Sequence, residues 1–367
     1  MRNNRYSDLK IVDHPKKLES LRSGNITAPV YVRVKPTNRC NMDCWWCIYS
    51  QSYRATGKDR KGIEHASAGM HKDISLADEM PFEKLCEILD DFRVMGVRAV
   101  TYSGGGEPLI YPNIAEIMRR TLFFGIDLSV LTNGLALHGD VTSVLSFAKW
   151  VRVSMDYTGP ESMAQSRGIA QKAIDLILQN IKRFSEVKQP FCDLGVNFII
   201  HKLNCNSKSI AEFTRILKDH GVNNIRFSPV WVPNLIEYHK PIEADALKAI
   251  ELATALTDDN FTVHSSYDIH APHYKAERGY SRCYYCQVVP AIGADLNVYA
   301  CHHKAYDHTG LIGSIQDQRF KDMWFGEHAR RFFETFNPTA SCRHQCANDT
   351  KNMNIEHLRN SPLDNFP

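Results

Sequence analysis

The chain has no apolar stretch of the roughly eighteen residues needed to span a bilayer, so it offers no transmembrane helix. Its first ten residues are polar and contain no apolar h-region, which argues against a secretory signal. No long lysine and arginine run accompanies the formal net charge of +3, which argues against a general nucleic-acid binder. Without an export signal, the eleven cysteines point to metal chemistry rather than disulfides, in a reducing compartment that is by default the cytoplasm. A length of 367 residues at 43% hydrophobic content suits one barrel-sized domain plus a smaller one.

What is present starts with Cys40, Cys44 and Cys47, spaced C-x3-C-x2-C. Three thiols on one loop can point at a common centre, and the fourth ligand of a closed zinc site is missing. An iron-sulfur cube with one iron open to a non-protein ligand fits this arrangement; so does a zinc site completed by a distant residue. Residues 30–34 alternate like a first strand and end at Pro36, so the loop leaves the carboxyl end of a strand, where a parallel barrel carries its chemistry. Residues 50–79 form a polar insertion with Arg54, Lys58, Arg60, Lys61, His65, His71 and Lys72, either a solvated excursion or a lid over an anionic substrate.

Phe82, Leu85, Leu89 and Phe92 make one helical stripe that stops at Gly96, and Cys86 shares it as a core thiol. The strand at 98–102 runs into Ser103-Gly104-Gly105-Gly106-Glu107-Pro108. Glycines there let backbone approach a ligand, and Glu107 places a carboxylate where an ammonium could dock. Helices at 113–124, 141–148, 162–187 and 209–219 then alternate with strands at 127–131, 150–155, 194–200 and 224–228. Six strands predict an α/β fold, a partial (β/α)6 TIM-like barrel with a lateral opening. Its pocket candidates are Asn133, Ser154, Asp156, Asn197, His201 and Arg226 at strand ends, with Cys205 just beyond the fifth strand. A helix at 241–259 and a short strand at 261–265 follow.

Cys283, Cys286, Cys301, Cys342 and Cys346 then supply five thiols around a hairpin-like 292–300, enough for one cluster with one to spare, or for a zinc ribbon. A helix at 317–336 turns Phe320, Trp324 and Phe332 or Phe333 inward to pack this unit on the barrel. The chain thus divides into an N-terminal segment (1–28), the barrel (29–260) and a small cluster-binding α+β extension (261–367).

The cysteine run with its aromatic Trp46, followed by Gly105-Gly106-Glu107, resembles the radical S-adenosylmethionine (SAM) superfamily. The resemblance implies a [4Fe-4S] cluster on Cys40, Cys44 and Cys47, whose open iron is chelated by the amino and carboxylate groups of SAM. One electron then releases a 5′-deoxyadenosyl radical that abstracts a substrate hydrogen. It places Trp46 near the adenine, Gly105, Gly106 and Glu107 on the amino group, and Ser154 on the ribose or carboxylate. The C-terminal part is similar to the twitch relative of the SPASM extension, which carries one auxiliary [4Fe-4S] cluster for electron transfer. Cys301, Cys342 and Cys346 fit its ligand positions, Cys283 and Cys286 compete for the remaining one unless both ligate and one of Cys342 or Cys346 does not, and Leu296 stands where that family has a hairpin glycine.

The family further implies a flavodoxin or ferredoxin-type electron donor. The substrate expected is a small polar molecule such as a sugar, cyclitol or nucleotide-linked sugar, dehydrogenated or epimerised, with Asp156 facing it and Cys205 giving back a hydrogen in epimerisation. Maturation of a peptide or protein is the alternative, and a non-catalytic metal-binding module a third.

Overall fold

The computed structural model describes residues 7–49, 74–159, 162, 166–232, 235–267, 278, 280–342, 346 and 348–361. Most of the polar insertion, with His65 and His71, lies outside the described residues. Seven strands run parallel in sequence order: β1 (Tyr31–Val34), β2 (Ala99–Tyr102), β3 (Asp127–Thr132), β4 (Trp150–Ser154), β5 (Asp193–Ile200), β6 (Asn224–Pro229) and β7 (Thr262–Ser265). β7 pairs with β6, so the parallel sheet continues past residue 260. The extension adds β8 (Ala291–Ile292), β9 (Asn297–Tyr299) and β10 (Leu311–Ser314) to the same sheet, which reads β10-β9-β8-β1 through β7 and does not close into a barrel.

Alternation within the strands sets the two faces of this sheet. Val32 and Val34, Val151 and Val153, and Ile225 and Phe227 are buried, while Tyr31 and Arg33, Arg152 and Ser154, and Arg226 and Ser228 are half-buried on the opposite side. The apolar side receives the helices. Helix Phe82–Met95 buries Leu85, Leu89 and Phe92, with Cys86 packed at the core margin, and ends in Gly96 at φ 74°, whose N–H bonds back to the last turn. Helix Ser207–Asp219 starts on Asn206, whose side chain accepts from the Ser209 N–H.

Two expected helices are interrupted. Over 162–187, Ser162, Ser166 and Arg167 are helical, residues 168–170 are not, with Gly168 at φ 64°, and a helix resumes over Gln171–Val187. The Ser166 and Arg167 carbonyls accept from Trp45 N at 2.9 Å and Asp43 N at 3.0 Å. The helix expected over 317–336 is two, Phe320–Phe325 and Glu327–Thr335, parted at Gly326. The first docks the extension on the barrel: Phe320 meets Phe92 edge-on at 5.2 Å, and buried Trp324 donates Nε1–H to the Thr27 carbonyl at 2.9 Å. Helix Pro15–Arg22 lies on helix Asp349–Asn360, tied by Arg22 to the Ser361 carbonyl (2.7 Å) and Arg359 to the Leu21 carbonyl (3.0 Å).

The β8–β9 turn puts Leu296 at φ 61°, a region non-glycine residues seldom adopt. Asp295 closes the turn by accepting from Asn297 N–H (3.2 Å) and Tyr299 O–H (2.5 Å), and the Leu296 side chain packs against the main core, which offsets the backbone cost. No helix among the described residues is long and apolar enough to cross a membrane.

Candidate iron-sulfur and SAM site

All eleven cysteines are free thiols. Cys40 is exposed at the mouth of the loop, while Cys44 and Cys47 are half-buried. The cysteine loop lies backbone to backbone against the glycine loop, with Gly106 N–H on the Thr37 carbonyl (3.0 Å) and Glu107 N–H on the Arg39 carbonyl (2.8 Å). A Cβ at Gly106 would overlap the Arg39 carbonyl, and one at Gly105 would overlap the Asn38 amide oxygen. These glycines therefore let two loops touch, beyond any approach to a ligand.

Glu107 is 2% exposed. Its Oε1 accepts from Leu109 N–H (3.0 Å) and Thr132 O–H (2.7 Å), and its Oε2 from Asn133 N–H (2.7 Å). Burial pushes this carboxyl up to about 7, against the pull of those three donors. The carboxylate thus fastens the glycine loop to the turn after β3, with one of its roughly four acceptor positions left. Asn133 completes the tie, donating Nδ2–H to Asn41 Oδ1 at 2.6 Å and bracing its own turn through the Leu135 N–H.

Asp156 does not line an open pocket. It is fully buried, with Oδ1 held by Arg167 Nε–H at 2.5 Å and Oδ2 3.2 Å from His201 Nε2. Burial would raise its pKa, but the Arg167 guanidinium and His201 override it and hold the carboxyl at about 2. A carboxylate at the end of β4 is drawn inward because Arg167, 1% exposed, needs a counter-charge there. Arg167 continues the array to the cysteine loop, with Nη1 3.9 Å from Cys44 Sγ and its guanidinium 5.2 Å over the Trp46 ring. Burial pushes the Cys44 thiol up and Arg167 pulls it back. His201, expected in the pocket, instead meets Trp45 edge-on at 5.5 Å. Sequence reading passed over Arg167, since nothing local marks an arginine in an expected helix as the partner of an aspartate beyond β4.

Ser154 ends β4 half-buried, in register with Asn197, which is in register with Arg226. Cys205 is turned elsewhere: its sulfur points at the Ile242 carbonyl, 3.5 Å away, and burial pushes its thiol up to about 12. That contact holds it against the segment after β6.

In the extension, burial pushes Cys301, Cys342 and Cys346 up to about 12, and the thiols add to one another: Cys346 and Cys283 on Cys301, Cys301 and Cys283 on Cys342, Cys283 on Cys346. Cys286 donates its S–H to the Cys283 carbonyl at 2.8 Å and packs with Ala300 and Phe336. Cys286 also acts directly on Cys283, whose thiol it raises through a side-chain hydrogen bond, so five thiols share one neighbourhood.

The donor set fits iron-sulfur chemistry, being thiol at every position, although no three His, Cys, Asp or Glu side chains among the described residues stand close enough to hold a metal ion. Trp46 Nε1 and Ser103 Oγ, beside the cysteine and glycine loops, are enclosed without a hydrogen-bond partner, a signature of polar ligand space.

Comparison with known proteins matches residues 34–204 to the radical SAM superfamily and residues 283–347 to the SPASM iron-sulfur cluster-binding domain. A GTP 3′,8-cyclase of Lactiplantibacillus plantarum is 26% identical over 204 residues, 54% of this chain and 54% of that one. The chain thus spans about half the length of such relatives. The mycofactocin maturase MftC of Mycolicibacterium smegmatis is 22% identical over 363 residues, 95% of this chain and 84% of that one. Among solved structures, Streptococcus suis SuiB bound to S-adenosylmethionine superposes with a TM-score of 0.62 at 15% identity, covering 91% of this chain and 75% of that one, a likeness of fold.

Proposed function

The chain belongs to the radical SAM superfamily and carries a SPASM iron-sulfur extension, and from that premise we propose that it dehydrogenates, or alternatively epimerises, a small polar molecule such as a sugar, cyclitol or nucleotide-linked sugar. The observation that carries this reading is the inner row of the sheet, where Arg152, Ser154, Asn197, Arg226 and Ser228 alternate with buried apolar residues that face the helices. Guanidinium, amide and hydroxyl groups complement a hydroxyl-rich or anionic ligand better than an apolar one. The relatives named GTP 3′,8-cyclase, whose name gives a nucleotide substrate, support the same class.

Cys40, Cys44 and Cys47 would hold the [4Fe-4S] cluster with an open iron, and Cys283, Cys301, Cys342 and Cys346 the auxiliary one. Trp46, Gly105, Gly106, Glu107 and Ser154 would bound the SAM space. When bound, these groups supply the 5′-deoxyadenosyl radical that takes the substrate hydrogen, with electrons from a flavodoxin or ferredoxin-type donor. Arg167 offsets negative charge beside Cys44, Asp156 orients Arg167, and Trp46 covers the guanidinium from water. Dehydrogenation stands ahead of epimerisation because the Cys205 thiol is fixed on the Ile242 carbonyl.

Anaerobic reconstitution, then incubation with SAM and a panel of sugar derivatives, tests the reading through 5′-deoxyadenosine and substrate mass. Loss of two hydrogens is the expected result. One deuterium gained from heavy water without other mass change would make it an epimerase. A second reading, peptide maturation, is favoured by the match to mycofactocin maturase, which runs over most of both chains. A mass shift on a candidate peptide, with none on the sugar panel, would put it first.

A further inference from the structure

Beyond Val34 the chain continues into Lys35, which is 1% exposed. Its Nζ donates to the Gly104 carbonyl of the glycine loop and to the Tyr49 hydroxyl at 3.2 Å, and lies 4.9 Å over the Tyr49 ring. Tyr49, close after Cys47, in turn donates to the carbonyl of His302 at 3.4 Å, and His302 adjoins Cys301. The Tyr49 ring meets Tyr306 edge-on at 5.8 Å, and Tyr306 donates to Asn38 Oδ1 at 2.5 Å. One ammonium therefore joins the glycine loop, the cysteine loop and the extension.

These hydrogen-bond partners of the ammonium are neutral oxygens, a costly setting for a buried cation. Burial, and then Arg33, pull Lys35 down to about 7, while negative charge at Cys47, Cys301 and Asp295 pulls it back. The thiols that act on it belong to both cysteine sites. Cysteine-ligated clusters are anionic groups, whose potentials respond to nearby charge and hydrogen bonding.

We propose that Lys35 is a counter-ion shared by the two iron-sulfur sites, its ammonium stabilising added negative charge at each. The inference rests on the reading that both sites hold clusters, and adds a positioning residue that neither cysteine motif contains. A merely structural lysine would staple the three loops and leave the potentials alone.

The test is anaerobic potentiometry with EPR detection on the reconstituted full-length protein, comparing wild type with Lys35→Met, Lys35→Gln and Tyr49→Phe. Both midpoint potentials are expected to fall in the two lysine variants, by about tenfold in each reduction equilibrium, or about 59 mV for one electron. Tyr49→Phe keeps the ammonium and cuts the His302 bond, so both potentials stay near wild type. A shift at one site alone, at neither, or of equal size in Tyr49→Phe would overturn the proposal. Should the uncharged variants fail to retain iron, Lys35→Arg decides: iron and potentials kept at both sites support the charge, and iron lost again refutes it. The enzymatic reading fails separately, if wild type shows both clusters yet forms no 5′-deoxyadenosine from SAM.

Discussion

The two cysteine sites are built by different means. Cys40, Cys44 and Cys47 come on one loop, fixed by backbone bonds to the glycine loop and backed by the buried Arg167–Asp156–His201 array. Cys283, Cys301, Cys342 and Cys346 come from segments far apart in sequence, and Cys283 and Cys342 pack with Cys286 against Ala300 and the rings of Phe332, Phe333 and Phe336. A charge array backs the first site, whereas the second combines apolar packing with a charge array of its own, Arg278 bonded to Asp349 at 2.6 Å and to the Cys342 carbonyl at 2.5 Å. The difference teaches that, apart from the shared Lys35, each should fail through its own side chains: loss of Arg167 should cost the first its iron, and loss of a ring the second.

Arg167→Met breaks the first side of that comparison with the largest effect. It strands Asp156 as a buried charge, and a loss of about 4 kcal/mol is expected in urea unfolding, with iron lost at the first site and kept at the second. Phe336→Ala is the mirror experiment. Phe336 stacks on Phe332 at 4.8 Å beneath the extension thiols, and about 3 kcal/mol with selective loss of the second cluster should follow.

Glu107 sharpens the comparison through pH. Because the folded carboxyl is raised from 4.5 to about 7, the folded state keeps a proton that the unfolded chain has released, so this group's contribution to stability is full below 4.5 and falls as pH rises through that window. The fall amounts to about 3 kcal/mol, and Glu107→Gln should abolish it, read as the difference between variant and wild type in urea unfolding from pH 4.5 to pH 8. Cys286→Ala should cost about 1 kcal/mol and leave the extension's iron in place, whereas Cys283→Ala should release it; iron analysis separates the two. Leu296→Gly relieves a left-handed leucine but forfeits its packing, so stability should stay within about 1 kcal/mol and both iron contents unchanged.

What was legible in the sequence was local. The thiol spacing, the glycine run and the strand alternation around Val32, Val151 and Phe227 each lie within one element and survive folding unchanged. Contacts between distant segments left no such mark. Asp156 reads as a strand-end carboxylate facing substrate until Arg167 closes on it, and the helix expected over 162–187 is interrupted at 168–170, just after the Ser166 and Arg167 carbonyls that bond to Trp45 and Asp43. Lys35 follows directly on β1, and its role depends on Tyr49 and His302 arriving from elsewhere. Gly326, in extended conformation, parts a stripe that is continuous in periodicity.

The pairing of β8 with β1 carries a consequence for how the chain can be divided. β1 leads into the cysteine loop, and β8 covers its outer edge with parallel hydrogen bonds, Arg33 N–H to the Pro290 carbonyl at 3.0 Å and Lys35 N–H to the Ile292 carbonyl at 2.9 Å. A fragment ending before residue 283 would expose that row of backbone groups along Tyr31–Val34, a template for other chains to add strands. Such a fragment should self-associate rather than give a monodisperse barrel, which makes the iron-binding extension also the guard against edge-to-edge aggregation.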